Sequence, residues 1–289
     1  MRRCPTPTSP CRRDPVIPDW ARLALGTLTI VRVPAPRSTD GAGEPAEMST
    51  SIARSTARGA MLAAPLVGLL LAVPAGLLVW GAGRSPLLAS ALVIALLALL
   101  TRGLHLDGLA DTADGLGSGR PAAGALAIMR QSDIGPFGVA TLVLTVLVQT
   151  AALAAVVDGH SPARATLAVA VMLVVSRTAL PLACRVGIPA ARPGGLGATV
   201  AGSVPTWAAV CLSALVVAAS AAAGFWAGDH GAGALLPPLG WALAAALGLG
   251  AGLLVTRRCV RRLGGVTGDT LGAAVEVSMT VTLVVLALA

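Results

Sequence analysis

Three aspartates stand at helical spacing within one polar stretch, residues 101–120, which reads TRGLHLDGLADTADGLGSGR. Asp107, Asp111 and Asp114 occupy positions i, i+4 and i+7, and on a helix these positions lie within about 60° of one another. Carboxylates that share a helix face repel one another, and beside a membrane such a cluster is costly unless a cation compensates it. We therefore predict that all three bind a metal ion and that Asp107 and Asp111 act directly in catalysis.

The ligand type indicates which metal this is. Oxygen ligands without Cys or His favour Mg²⁺ or Mn²⁺ over zinc. Because Mg²⁺ is usually held by one or two carboxylates together with substrate phosphates and water, the predicted cofactor is Mg²⁺ and the predicted substrate is a di- or polyphosphate. The alternative is a solvated acidic helix face. Such faces usually contain Lys or Glu, whereas the residues between these aspartates are Gly, Leu, Ala and Thr.

A second acidic, glycine-rich segment reads GGVTGD at residues 264–269 and follows four arginines within residues 257–262. Backbone N–H groups in such a loop can cradle a phosphate. Thr267 and Gly268 are therefore predicted substrate contacts, and Asp269 is predicted to complete the metal site. The arginines are also typical of a cytoplasmic loop, and the two interpretations are compatible.

Three further polar residues are candidate substrate contacts. His105 lies about 160° around an ideal helix from Asp107, which makes it a poor ligand for the same metal and leaves substrate contact or packing. Arg130 and Ser132, within the sequence MRQSDIGPFG, could contact phosphate oxygens. The alternative for that segment is a polar helix entry in which Pro136 is the first helical residue.

Arg177 and Glu276 are charged residues inside apolar segments. Charges within a membrane are costly and by default indicate function, so Arg177 is predicted to contact substrate. Two structural alternatives stay open. The two side chains could pair with each other, or each could extend to the membrane interface.

The composition shows what kind of fold must position these residues. Of the 289 residues, 12% are charged and 55% hydrophobic, with a mean hydropathy of +0.82, whereas a soluble domain carries about 25% charged residues. The net charge of +8 comes entirely from arginine, but no basic stripe interleaved with aromatic residues indicates nucleic-acid binding. The chain is predicted to be an all-α integral membrane protein.

The sequence contains seven apolar segments, most of which approach the length of about 20 residues that crosses a bilayer. They are predicted to be transmembrane helices, because backbone groups cannot go unpaired in lipid. The second segment is short and is predicted to continue as a helix into the acidic stretch. The segments are residues 60–80, 86–101, 136–157, 164–184, 205–228, 234–256 and 272–289.

The distribution of arginines predicts the orientation. With the N-terminus inside, the outside connections contain only Arg84 and Arg164, and basic loops stay in the cytoplasm. All the polar motifs then lie at the cytoplasmic face of the cell membrane. The inside connections contain Arg54, Arg58, Arg102, Arg120, Arg130, Arg185, Arg192, Arg257, Arg258, Arg261 and Arg262.

The N-terminal region is predicted to lie outside the membrane. Residues 1–18 are rich in Arg and Pro and are predicted to be a disordered extension before a single membrane domain at residues 19–289. Residues 20–33 are too short to cross and are predicted to lie at the interface, and residues 35–51 are predicted to be a polar linker. The five cysteines show no zinc-ligand spacing and are predicted to be free thiols.

Taken together, the motifs resemble those of the cobalamin synthase family. The resemblance is carried in order from about residue 20 to 285, and HLDGLADTADG is its most specific part. The matching segments are LALGTLTIVRVPAP at 23–36, LHLDGLADTADGL at 104–116, MRxSxIGxFG at 129–138, SR at 176–177, GLG at 195–197 and GGVTGDTLGA at 264–273.

The resemblance implies an adenosylcobinamide-GDP ribazoletransferase, a multi-pass membrane enzyme that needs Mg²⁺. It would join adenosylcobinamide-GDP to α-ribazole or α-ribazole 5′-phosphate and release GMP, the last step of nucleotide-loop assembly. Asp107, Asp111 and Asp114 match the family's acidic motif and Asp269 its TGD motif. Gln131 departs from the acid expected there in many relatives. The implied partners are the two substrates and the lipid bilayer, and assembly into a homo-oligomer is left open.

Two other functions compete with this one. A CDP-alcohol phosphotransferase would share the spacing Gly103-x3-Asp107-x3-Asp111, but hydrophobic residues replace the DGxxAR that should precede it. A transporter would use the aspartates as an ion site, but transporters place charges near mid-membrane and often show internal repeats. Here the aspartates lie near a loop and no repeat is evident.

Overall fold

The computed structural model describes residues 17–33, 46–82, 84–227 and 236–289, with the side chains of all of these except 46–52 and 236. The extension predicted at residues 1–18 lies almost wholly outside the described residues. Apart from two isolated β-bridges, regular structure in the described part is helical. The helices are α1 (Asp19–Leu28), α2 (Ala46–Ala82), α3 (Pro86–Leu100), α4 (Leu104–Gly117), α5 (Ala122–Ile128), α6 (Pro136–Asp158), α7 (Pro162–Ala183), α8 (Leu196–Val200), α9 (Thr206–Ala227), α10 (Leu236–Leu263) and α11 (Gly268–Leu288).

Within the described ranges, six helices are individually long and apolar enough to cross a bilayer: α2, α6, α7, α9, α10 and α11. The pair α3 and α4 meets the same criterion only jointly, and its two halves are bent by 88°. The predicted all-α membrane fold with about seven spans is confirmed. The acidic stretch is helical as predicted, but it does not continue the direction of α3.

The bend between α3 and α4 is made by two consecutive residues in the left-handed region. Arg102 has φ 57° and Gly103 has φ 66°, and the Gly103 N–H donates to the carbonyl of Ala98 at 2.7 Å. Glycine adopts this conformation freely, whereas at Arg102 it costs about 1–2 kcal/mol. The Arg102 guanidinium offsets part of that cost by donating to the Gly26 carbonyl at 3.0 Å.

The N-terminal part of the chain packs beside this bend. Helix α1 has ten residues, too few to cross a bilayer, and the Ile30 N–H that follows it donates to the Leu100 carbonyl at 2.6 Å. The predicted linker at 35–51 is corrected in part, because α2 already begins at Ala46. Residues 34–45 lie outside the described part.

Close packing at the centre of the bundle depends on small residues. Helices α7 and α11 are buried along most of their length. A Cβ at Gly252 of α10 would stand 3.0 Å from the Ala179 Cβ and 3.1 Å from the Ala274 carbonyl oxygen. Such contacts let helix backbones approach closely in lipid.

The connections that carry the polar motifs all meet at one end of the bundle, which we call the polar end. It comprises residues 101–135, 184–205 and 264–267. Contacts tie these segments together: Ala190 forms a bridge with Val266, and the Arg192 guanidinium donates to the Leu126 carbonyl. The placement of this end in the cytoplasm stays a prediction.

Candidate functional site

The acidic face of α4 meets the first turn of α11. A Cβ at Gly108 would stand 2.6 Å from the carbonyl oxygen of Asp269 and 2.9 Å from its Cα, and a Cβ at Gly272 would stand 3.1 Å from the Cα of His105. Glycine at both helices therefore allows backbone contact. As a result Asp269 lies beside the helix face that carries Asp107.

The start of α11 is fixed by its own side chains. Thr267 is the N-cap residue: its hydroxyl accepts from the Thr270 N–H, and the Thr270 hydroxyl accepts from the Thr267 N–H in return. The Thr267 hydroxyl also lies 3.2 Å from Oδ2 of Asp269. Thr267 is buried and holds Asp269, while Gly268 lines the cleft described below.

The carboxylates are close enough to repel one another. Partial burial first, and then the charges of Asp107, Asp269 and Asp114, raise the pKa of Asp111 to about 6, and Arg192 acts in the opposite direction. Asp111 belongs to α4, outside the six helices that can cross a bilayer individually. The part of this rise in pKa that comes from the neighbouring carboxylates is a repulsion that a bound cation would offset.

Asp114 has partners of a different kind. Its Oδ2 accepts from the Gly135 N–H at 2.7 Å and its Oδ1 from the Gly138 N–H at 2.9 Å, and Asp114 is buried. Gly135 is the N-cap of α6, which begins at Pro136 as predicted. Asp114 thus satisfies N–H groups that a helix start leaves unpaired, and its predicted metal role competes with these two bonds.

Arg192 is the site residue that sequence reasoning missed. Its Nη2 lies 3.6 Å from Oδ2 of Asp269. The arginine was counted only as a topology signal, although it stands two residues before the GGLG sequence at 194–197. Its distance in the chain from Asp269 left no local pattern that links them.

A cleft opens beside the N-terminal half of α4, with an empty volume of about 590 Å³. It brings together the glycine-rich loop, Arg192 and the first turn of α11. The residues that line it are Leu104, Arg192, Gly194, Gly195, Leu196, Gly197, Thr267, Gly268 and Asp269.

Arg130 and Ser132 are exposed in the turn between α5 and α6. Neither lines this cleft or a second cleft beside the C-terminal half of α4, which their neighbour Gln131 lines. The structure therefore does not bring these two predicted substrate contacts to Asp269.

Four polar side chains from four helices form a buried group that we call the interior cluster: His105, Gln149, Arg177 and Glu276. Gln149 Nε2 donates to Glu276 Oε2 at 2.9 Å. Arg177 and Glu276 are 2% and 6% exposed, so neither extends to an interface. Both ring nitrogens of His105 and the Nε of Arg177 lack hydrogen-bond partners.

Arg177 and Glu276 do not form a close ion pair among the described contacts. The Arg177 Nη1 donates to the Ser176 hydroxyl at 2.9 Å, yet the charges of Arg177 and Glu276 act on each other through the protein interior. Neither structural alternative is found as predicted: the two side chains do not extend to an interface, and they are coupled electrostatically without direct contact.

Among the described residues, no group of three or more His, Cys, Asp or Glu side chains is placed to hold a metal ion unaided. A cation bound here would need ligands from substrate and water as well. The donor set itself, carboxylate oxygens without Cys or His, fits Mg²⁺, which commonly takes one or two carboxylates and completes its shell with phosphates and water.

Comparison with known proteins gives a consistent result. The family model for cobalamin-5-phosphate synthase matches residues 21–287. The chain is 39% identical over 279 residues to the adenosylcobinamide-GDP ribazoletransferase of Frankia casuarinae, covering 93% of this chain and 94% of the relative. With the protein of the same name from Nocardioides sp. it shares 39% identity over 272 residues, covering 92% and 96%. No solved structure shows significant similarity.

Proposed function

The chain belongs to the cobalamin-5-phosphate synthase family, and we propose that it is an adenosylcobinamide-GDP ribazoletransferase. It would join adenosylcobinamide-GDP to α-ribazole, or to α-ribazole 5′-phosphate, and release GMP. The observation that carries the proposal is the contact at Gly108, which sets Asp269 beside the acidic face of α4. Two acidic motifs distant in sequence thereby form one site.

The reaction is a transfer of a substituted phosphoryl group. A ribose hydroxyl of the acceptor attacks the phosphorus bonded to the cobinamide side, and a new P–O bond forms. The bond from that phosphorus to the bridging oxygen breaks, and the oxygen leaves with the electron pair as part of GMP. The hydroxyl proton passes to Asp107 or Asp111, the carboxylates of α4 that are at least partly exposed.

Asp107, Asp111 and Asp269 are the proposed ligands of Mg²⁺, with donor phosphates and water completing its shell. When bound, the cation would offset charge on the diphosphate and on the departing GMP. The carboxylates of α4 and α11 would hold the cation at a fixed place, because the close contact at Gly108 and the Thr267 cap fix the two helices relative to each other. Positioning and charge compensation supply most of the acceleration in phosphoryl transfer.

We further propose that the polar end faces the cytoplasm from the cell membrane. Adenosylcobinamide-GDP is large and carries a charged diphosphate, so an aqueous face must admit it. The distribution of arginines supports a cytoplasmic polar end, because basic residues stay inside. Five arginines lie in its connections and four more in the last two turns of α10, whereas Arg84 and Arg164 lie at the other end.

The test is GMP release by membranes that contain the chain, given adenosylcobinamide-GDP, α-ribazole and Mg²⁺. We expect release that needs both substrates and is abolished by a chelator. Asp111→Asn should lower it by at least about 100-fold, since even outer-shell partners of a metal are worth about 10–100-fold. The matched control is Asp158→Asn, the same change at an exposed position at the opposite end of the bundle, and it should release GMP at the native rate.

Native, folded chain that releases no GMP would contradict the proposal. Consumption of a CDP-alcohol in its place would identify the rival phosphotransferase. Cation uptake into vesicles without GMP release would identify a transporter. Equal loss of activity in Asp111→Asn and Asp158→Asn would show that the acidic face of α4 has no special part in the reaction.

A further inference from the structure

Arg192 lines the cleft beside Asp269, the carboxylate that lines it too. Arg192 Nη2 lies 3.6 Å from Asp269 Oδ2, which is long for a hydrogen bond, and it donates to the Leu126 carbonyl at 3.3 Å. The Nε of Arg192 is buried and has no hydrogen-bond partner. A guanidinium carries five N–H donors, so this side chain retains donors for a ligand.

The position of Arg192 is set by backbone contacts between two loops. The Ala191 N–H donates to the Val266 carbonyl, and the Val266 N–H donates to the Pro189 carbonyl, both at 2.9 Å. A Cβ at Gly265 would stand 2.5 Å from backbone atoms of Pro189, Ala190 and Ala191. The loop before α11 therefore holds the arginine in place before any ligand arrives, which lowers the entropic cost of binding.

The cleft wall next to Arg192 is formed by two glycines, Gly194 and Gly195, which have no side chain to cover the main chain. A Cβ at Gly194 or Gly195 would meet nothing within 4 Å, so packing does not explain glycine at Gly194, and only the positive φ of 84° requires it at Gly195. Both residues line the same cleft as Arg192. Glycines without a packing partner let a phosphate approach main-chain N–H groups closely.

We propose that Arg192, with the glycine-rich loop at 194–197, binds the donor phosphate that departs as GMP. This inference rests on the proposed transferase function. Asp269 and the carboxylates of α4 suit a cation, whereas the guanidinium suits phosphate oxygens, which it can bind with two parallel hydrogen bonds. A cation held by Asp269 would compensate its charge and would leave the guanidinium for the nucleotide. Arg192 has no part in binding the acceptor.

The experiment measures GMP affinity by equilibrium dialysis on the full chain in detergent with Mg²⁺, together with KM values for both substrates. Arg192→Ala should bind GMP about 10–100-fold more weakly, the range for lost hydrogen bonds to a charged group. KM for adenosylcobinamide-GDP should rise and KM for α-ribazole should stay constant. Arg192→Lys keeps the charge but not the paired donors, so its GMP affinity should lie between that of the native chain and that of Arg192→Ala.

The matched control is Arg185→Ala. Arg185 belongs to the same connection but donates to the Leu182 carbonyl and does not line the cleft, so its loss should leave GMP affinity native. If Arg192→Ala does not fold, the Arg192→Lys variant carries the same comparison.

Folded Arg192→Lys and Arg192→Ala variants with native GMP affinity would overturn this inference while native GMP release keeps the transferase function intact. A rise in KM for α-ribazole in place of the donor would overturn it too. Failure of the native chain to release GMP would instead overturn the proposed function.

Discussion

Among the described residues, charged side chains collect in two places, the acidic site beside the cleft at the polar end and the interior cluster. At the acidic site, Asp107 is exposed, Asp111 and Asp269 are partly buried, and Arg192 lies near Asp269. In the interior cluster, His105 and Arg177 are 3% and 2% exposed and have ring or guanidinium nitrogens without partners. The charged side chains at the acidic site are at least partly accessible to water, whereas those of the interior cluster interact only with neighbouring helices.

Two of the predicted substrate contacts lie in the interior cluster and not at the acidic site. His105 and Arg177 belong to the interior cluster and are almost wholly buried, so neither is presented to a substrate at the surface of the polar end. The cluster instead joins α4, α6, α7 and α11, the helices around the site. We expect variants of the cleft to change the reaction and variants of the cluster to change stability.

The largest expected effect is on stability, from Arg177→Met. Arg177 and Glu276 are opposite buried charges that act on each other without direct contact, and loss of one leaves the other as an uncompensated buried charge, which costs about 3–5 kcal/mol. Glu276 would keep its bond from Gln149 but lose the opposing charge. The measurement is the free energy of unfolding in detergent micelles.

The double variant Arg177→Met with Glu276→Gln is the control for this pair. Because no uncompensated charge is left, it should be less destabilised than the sum of its single variants. A stable Arg177→Met variant with a raised KM for adenosylcobinamide-GDP would contradict the structural role and restore the predicted substrate contact.

Asp114 belongs to the acidic face of α4 but is buried, like the members of the interior cluster. Asp114→Ala removes both acceptors of the α6 start and should cost about 1.5–3 kcal/mol, the range for hydrogen bonds to a charged group. Asp114→Asn keeps one acceptor oxygen and should cost less. At equal amounts of folded protein, Asp114→Asn should retain more GMP release than Asp111→Asn. The reverse order would favour Asp114 as a metal ligand.

The smallest expected effect concerns the contact between α4 and α11. Gly108→Ala forces a Cβ against the Asp269 backbone, and overpacking of this kind costs about 1–3 kcal/mol. GMP release should fall as well, because the carboxylates move apart. Gly250→Ala is the matched control, since a Cβ there meets nothing within 4 Å. Equal activity of the two variants would show that close approach at Gly108 is not needed.

The elements of this fold are largely visible in the sequence because their signals are local. Long apolar runs predict the spans, the i, i+4, i+7 spacing predicts helical α4, and Pro136 marks the start of α6. The bend before α4 was not predicted, because it needs an arginine, Arg102, in the left-handed region. The tertiary bond from the Arg102 guanidinium to the Gly26 carbonyl helps to stabilise that conformation and leaves no local signal in the sequence.

The partners within the site were harder to predict than its location. Asp107, Asp111 and Asp269 do meet at one end of the bundle, but the bonds from Asp114 to α6 and the pairing of Arg192 with Asp269 join residues far apart in the chain. Sequence spacing carries information along one helix and none across the junction between two. Charge type located the site, and backbone contacts between loops decide which charges meet.

The most direct measurement is Mn²⁺ binding by electron paramagnetic resonance, on native chain and on Asp269→Asn in the presence of GMP. If α4 and α11 form one cation site, the native chain binds Mn²⁺ that Mg²⁺ displaces, and Asp269→Asn binds it at least about 10-fold more weakly. Native Mn²⁺ affinity in folded Asp269→Asn would contradict the joint site.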